Sequence, residues 1–147
     1  MAFKEVPDGA RARVVRAYGL VPDVEVDIAR LSQVFVNLLV NAAHALSEEN
    51  AMSNEITITT CTDADGRAII EIRDTGHGIP EDVLPHVFDA FFTTKPVGAG
   101  TGLGLSIFRN FVLRMQGEIT LSSSGGDGTT VRIVLPPASR KTTQSLP

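Results

Sequence analysis

The chain has 147 residues (15.7 kDa), of which 43% are hydrophobic and 20% charged, with 13 basic against 17 acidic side chains. That is one domain's worth of sequence, room for one sizeable core and not for sensor, catalytic and output modules together. A net charge of −4, a pI near 5.3 and the lack of any Lys/Arg cluster exclude a surface that tracks nucleic-acid phosphates. No apolar run approaches the ~18 residues of a membrane span. Residues 1–5 hold no apolar signal-peptide core. A soluble chain without membrane contact is therefore expected. The single Cys61 excludes an internal disulfide and a cysteine metal cage. It fits a reducing, cytoplasmic setting, and within a strand-like run it reads as a small apolar filler.

Residues 11–18 and 24–28 read as short opening strands around the turn Val21-Pro22-Asp23. The period then changes. Leu31, Val34, Phe35, Leu38, Leu39, Ala42 and Leu46 recur at helical spacing, with Asp27 or Ser32 as candidate caps. Residues 55–61 and 67–73 alternate with period two around Asp63-Ala64-Asp65-Gly66, which predicts a hairpin. Pro80, followed by Glu81 and Asp82, opens a short helix expected to finish near Phe88. A third helix starts within Gly102-Leu103-Gly104-Leu105 and runs through Ile107, Phe108, Phe111, Val112 and Met115 to Gly117, its expected C-cap. Residues 118–122 and 130–135 form a last pair of strands, closed by Pro136-Pro137. This order predicts an α/β two-layer sandwich: a mixed, largely antiparallel sheet with three helices on one face. Residues 1–138 make the domain, and 139–147 form a polar tail expected to be loose.

Three features carry chemistry. Asn37 and Asn41 are four apart in an apolar helix and His44 is three further on, so the three form a polar stripe on one face. Amides in such a place either bond neighbouring backbone or face a polar ligand, where their oxygens suit a hard cation such as Mg²⁺ beside phosphate. Asp74-Thr75-Gly76-His77-Gly78 ends a strand with an acceptor carboxylate, and its glycines permit close backbone approach. A base with an exocyclic amino group suits that carboxylate. Gly98, Gly100, Gly102 and Gly104 alternate into a helix start, where free N–H groups and the dipole favour an anion. The spacing fits neither a P-loop nor a dinucleotide-binding fingerprint. No local His/Cys/Asp spacing around His77 or His86 supports zinc.

Taken together these segments resemble a known family. Asn37-Leu38-Leu39-Val40-Asn41-Ala42-Ala43 is similar to the N box of sensor histidine kinases, and Asp74-Thr75-Gly76-His77-Gly78 to their first glycine box. Phe88-Asp89-Ala90-Phe91-Phe92-Thr93-Thr94-Lys95 resembles the F box, and Gly100-Thr101-Gly102-Leu103-Gly104-Leu105 the second glycine box. The match covers nearly the whole chain and points to the catalytic, ATP-binding domain (Bergerat fold) of two-component kinases within the GHKL superfamily. The short lid of residues 92–100 is similar to that of nitrogen-regulator-type kinases.

The resemblance implies ATP and Mg²⁺ as ligands. It assigns Asn41 to the metal, Asn37 to the same cluster and Asp74 to the adenine amino group. Gly76 and Gly78 would form the adenine floor, and Gly100, Thr101, Gly102, Leu103, Gly104 and Leu105 would wrap the phosphates. Thr129 would line the adenine pocket, and Thr94 and Lys95 would lie in the lid near the terminal phosphate. His44 stands where relatives carry Asp or a basic residue, and a phosphate contact is expected of it. Ala90 replaces a common Pro. Phe88, Phe91 and Phe92 would anchor the lid.

The implied partners are the histidine-bearing dimerisation domain of a parent kinase and, indirectly, a response regulator, with the isolated domain monomeric. Hydrolysing relatives of the gyrase type carry Glu where Asn37 stands, and an amide cannot act as general base. That favours phosphotransfer to a histidine over hydrolysis. A nucleotide-sensing interaction module without transfer activity, and a GHKL ATPase or serine kinase of the same fold, are the alternatives.

Overall fold

The computed structural model describes residues 12–46, 53–89, 104–123 and 128–139. In chain order these form β1 (Arg13–Tyr18), α1 (Ile28–His44), β2 (Glu55–Thr62), β3 (Ala68–Asp74), a 3-10 turn (Leu84–His86), α2 (Gly104–Arg114), β4 (Glu118–Ser123) and β5 (Thr129–Leu135).

The helical period of α1 does what it predicts. Val34, Leu38, Ala42 and Leu46, each four residues from the last, are all buried. Phe108 and Val112 of α2 join them over a sheet face built from Ile56, Ala68, Ile72, Ile119, Ile133 and Leu135. Burying each Val, Leu, Ile or Phe side chain among them contributes roughly 1.5–3 kcal/mol before entropy is counted. Asp27 is the cap of α1: its Oδ1 accepts from the Arg30 N–H at 3.2 Å, satisfying one orphan donor of the first turn.

The sheet has the order β1-β2-β3-β5-β4. β1 pairs with β2 in parallel, with α1 as the crossover, and every other pairing is antiparallel. The β2–β3 hairpin turns where predicted. Asp63 Oδ1 accepts from the N–H groups of Asp65 and Arg67 at 2.9 and 2.8 Å, and Gly66 supplies the positive φ of 79°.

Five expectations change. Residues 24–28 do not form a strand. Val24 and Val26 turn toward the core, and Ile28 is already the first residue of α1, so the alternation reflects packing rather than pairing. The helix expected over residues 80–88 shrinks to a turn, because Pro85 has no N–H to continue it. The described residues therefore hold two α-helices instead of three on the sheet face. Cys61 is exposed and fills no core, since strand alternation puts it on the face opposite Ile56.

The cap of α2 is Gln116, with φ 62°, and not Gly117. The Gln116 N–H reaches Leu113 O at 2.9 Å and the Gly117 N–H reaches Val112 O at 3.0 Å, a Schellman closure. Gly117 is needed for space: a Cβ there would overlap Val134 O and Leu135 Cδ2.

Candidate nucleotide site

Asp74 is the last residue of β3, on the inward side of the sheet, and only 5% of it is exposed. Strand register puts it opposite Thr129 at the start of β5, and Thr129 in turn opposite Ser123 at the end of β4. Three polar side chains thus face inward together at one end of the sheet. Burial pushes the Asp74 carboxyl above its ordinary range. The N–H groups of Gly76 and Thr129, which bond it, and the nearby His77 oppose that shift without cancelling it. The Gly76 bond, to Oδ1, measures 2.8 Å. A buried carboxylate with acceptor capacity left over suits a ligand that brings its own N–H donors.

The loop after Asp74 is fixed on two sides. Toward α1, the His77 N–H donates to Ala45 O at 3.2 Å, and Gly76 lies so close to the same oxygen that a Cβ would collide with it. The close approach that Gly76 permits is therefore by the end of α1. Toward β4, the Ile79 N–H donates to Ser123 Oγ at 2.7 Å. Ser123 Oγ in turn donates to Gly128 O at 2.8 Å. Gly128 has φ 87°, and a Cβ on it would run into Asp74 O, so this turn needs glycine on both counts.

The polar stripe of α1 ends beside this loop. Asn37 and Asn41 are half-buried and His44 is exposed in the last turn. Asn37 Nδ2 donates to Gln33 O at 2.8 Å, the local backbone bond that a mid-helix amide readily makes. The structure thus brings Asp74, Gly76, Gly78 and Thr129 together and sets the end of the Asn41–His44 turn against them. Gly104 and Leu105 open α2. Thr94, Lys95, Gly100, Thr101, Gly102 and Leu103, with Ala90, Phe91 and Phe92, lie outside the described residues.

Two participants were not singled out from the sequence. Ala45 carries no polar side chain to mark it. Ser123 had a signal: Ile119, Leu121 and Ser123 share one face of β4, so a hydroxyl stands where the period demands an apolar residue. Among the described residues no group of three or more His, Cys, Asp or Glu side chains could hold a metal.

Residues 26–139 match the family model for histidine kinase-, DNA gyrase B- and HSP90-like ATPases. The chain belongs to this family. It is 40% identical over 123 residues to the sensor kinase CckA of Brucella abortus, covering 77% of this chain and 13% of that protein. It is 36% identical over 134 residues to the sensor protein FixL of Bradyrhizobium diazoefficiens, covering 88% of this chain and 26% of that one. The chain spans about a quarter or less of the length of these relatives. Among solved structures it superposes on a mycobacterial sensor histidine kinase, MprB, with a TM-score of 0.70 and 28% identity over 84% of this chain and 83% of that one. It also superposes on the catalytic domain of the histidine kinase ThkA with a TM-score of 0.68 and 30% identity, covering 84% and 80% of the two chains. The two-layer fold is thus that of histidine kinase catalytic domains.

Proposed function

We propose that this family member is the catalytic domain of a sensor histidine kinase, spanning residues 1–138, that binds Mg·ATP and transfers its γ-phosphoryl group to a histidine on a dimerisation domain elsewhere in the parent protein. Asp74 is the observation that carries this reading. Its buried carboxylate, held at the sheet end by backbone donors, is matched to the exocyclic amino group of adenine.

Thr129 lines the same pocket, and Gly76 and Gly78 shape its floor. Phosphates are received by the glycine-rich approach to α2, through Gly100, Thr101, Gly102, Leu103, Gly104 and Leu105, where N–H groups and the helix dipole meet negative charge. Thr94 and Lys95 add contacts from the lid, and exposed His44 offers a further one. The donor chemistry fits Mg²⁺, which keeps most of its ligands as phosphate oxygens and waters and takes few from protein. Asn41 supplies one amide oxygen. Bound there, Mg²⁺ would offset phosphate charge.

The chain's own contribution is orientation. Asn37 cannot take a proton from water, so the site holds ATP for transfer and leaves it slowly hydrolysed. The domain works as a monomer in the cytoplasm, and a response regulator receives the phosphoryl group afterwards.

Calorimetric titration with Mg·ATP tests binding: Asp74→Asn and Asn41→Ala should each weaken it at least tenfold, and unchanged affinity in both would overturn the reading. Radiolabelled ATP with a cognate dimerisation domain added in trans tests transfer. Label should appear on that domain's histidine, and binding without label would leave a nucleotide-sensing module instead.

A further inference from the structure

We infer that Ser123 is a positioning residue for base recognition: its single hydroxyl ties together both backbone segments that flank Asp74, and so sets how selectively that carboxylate receives an exocyclic amino group. The inference rests on the assignment of Asp74 as the base acceptor and goes beyond it by naming what holds the acceptor in place.

A serine hydroxyl has one proton to give and two lone pairs to receive with. Ser123 Oγ accepts from the Ile79 N–H at 2.7 Å, donates to Gly128 O at 2.8 Å and lies 3.4 Å from the Thr129 hydroxyl, which donates to it. Those three contacts use its whole capacity. They also reach three backbone segments around Asp74. Ile79 ends the loop that starts at Asp74, Gly128 presses its backbone against Asp74 O, and Thr129 donates its N–H to the Asp74 carboxylate.

The opposite side of the loop is already pinned by the His77 N–H to Ala45 O and by the Thr75 N–H to Glu55 O at 3.1 Å. Ser123 supplies the matching restraint from β4. Without its hydroxyl, the partly buried Ile79 N–H and Gly128 C=O both lose their partner. The loop is then anchored on the α1 side alone, and the carboxylate loses definition relative to the base edge. Thr129, 3.4 Å from the same hydroxyl, loses that contact too.

The test compares wild type, Ser123→Ala and Ser123→Thr for affinity toward Mg·ATP and Mg·ITP, whose base carries a carbonyl in place of the amino group, with thermal melting of each protein in parallel. Wild type should prefer ATP. Ser123→Ala should lose about tenfold in ATP affinity, the scale of one good hydrogen-bond arrangement, with ITP affinity unchanged, so that the ratio of the two falls. Ser123→Thr, which keeps the hydroxyl, should retain the wild-type ratio. Ser123→Cys, with weaker bonds at similar volume, should give an intermediate ratio and serves if the alanine variant does not fold. A lower melting temperature with an unchanged ATP-to-ITP ratio would make Ser123 purely structural and overturn the inference. A wild-type protein that binds ATP but shows no preference over ITP would instead overturn the Asp74 assignment.

Discussion

The carbonyl oxygen of Ala45 occupies the space that any side chain at Gly76 would need, and the same oxygen accepts the His77 N–H at 3.2 Å. One atom at the end of α1 therefore sets the position of the loop that follows Asp74. It links the helix carrying Asn37 and Asn41 to the strand carrying the buried carboxylate.

Gly76→Ala forces those two backbones apart, since neither neighbour is the yielding tip of a flexible side chain. Overpacking of this kind costs roughly 1–3 kcal/mol. Chemical denaturation should report that loss, and calorimetry should report ATP binding weakened by more than the stability change explains, because the acceptor loop itself has moved.

Burial holds the Asp74 carboxyl above its ordinary range, so the folded chain binds that proton more tightly than the unfolded one. The resulting stability is fully present below the unfolded pKa and is lost as pH rises through the folded value. Above the unfolded pKa the buried Asp74 thus costs the ligand-free fold stability. Asp74→Asn should be at least as stable as wild type at neutral pH while losing ATP affinity, and the stability difference should shrink on acidification. Denaturation curves recorded from acidic to neutral pH check this. A difference that does not change with pH would remove the electrostatic explanation.

Gln116 sits at φ 62°, a conformation that costs a residue with a Cβ about 1 kcal/mol or more. Gln116→Gly should stabilise the domain by about that amount and leave nucleotide binding untouched, because the α2 C-terminus is remote from Asp74 in sequence and carries none of the site residues. Gly117→Ala should do the opposite, losing roughly 1–3 kcal/mol through overlap with Val134 O and Leu135. Thermal melting of the pair distinguishes a cap defect from a packing one.

Asn41→Ala and Asn37→Ala should separate by their metal dependence. Loss of the Asn41 oxygen should weaken Mg·ATP far more than metal-free ATP. Asn37, whose Nδ2 is engaged with Gln33 O, should show a smaller change in Mg²⁺ dependence. Titrations with ATP in Mg²⁺ and in a chelator make the comparison, and equal metal dependence in the two variants would count against Asn41 as the ligand.

Local pattern determined much of this protein. The step of four from Val34 through Leu38 to Ala42 specified the buried stripe of α1, continued by Leu46 just past its end, and the Asp63–Gly66 turn specified the β2–β3 hairpin, because both depend on residues close in sequence. The carboxylate at a strand end followed by glycines also marked Asp74 without any structure. Tertiary structure alone decided the rest. The parallel pairing of β1 with β2 joins residues 42 apart, as in Arg13 opposite Glu55, and no local period encodes such a partner. The Val24–Val26 alternation was indistinguishable from a strand until packing showed it turned to the core. Above all, the bonds that shape the site span long separations: Ile79 to Ser123 covers 44 residues, and His77 meets Ala45 through main-chain atoms that every sequence carries. Side-chain identity announces which chemistry is available, but backbone groups acquire their roles only when the fold brings them within hydrogen-bonding distance.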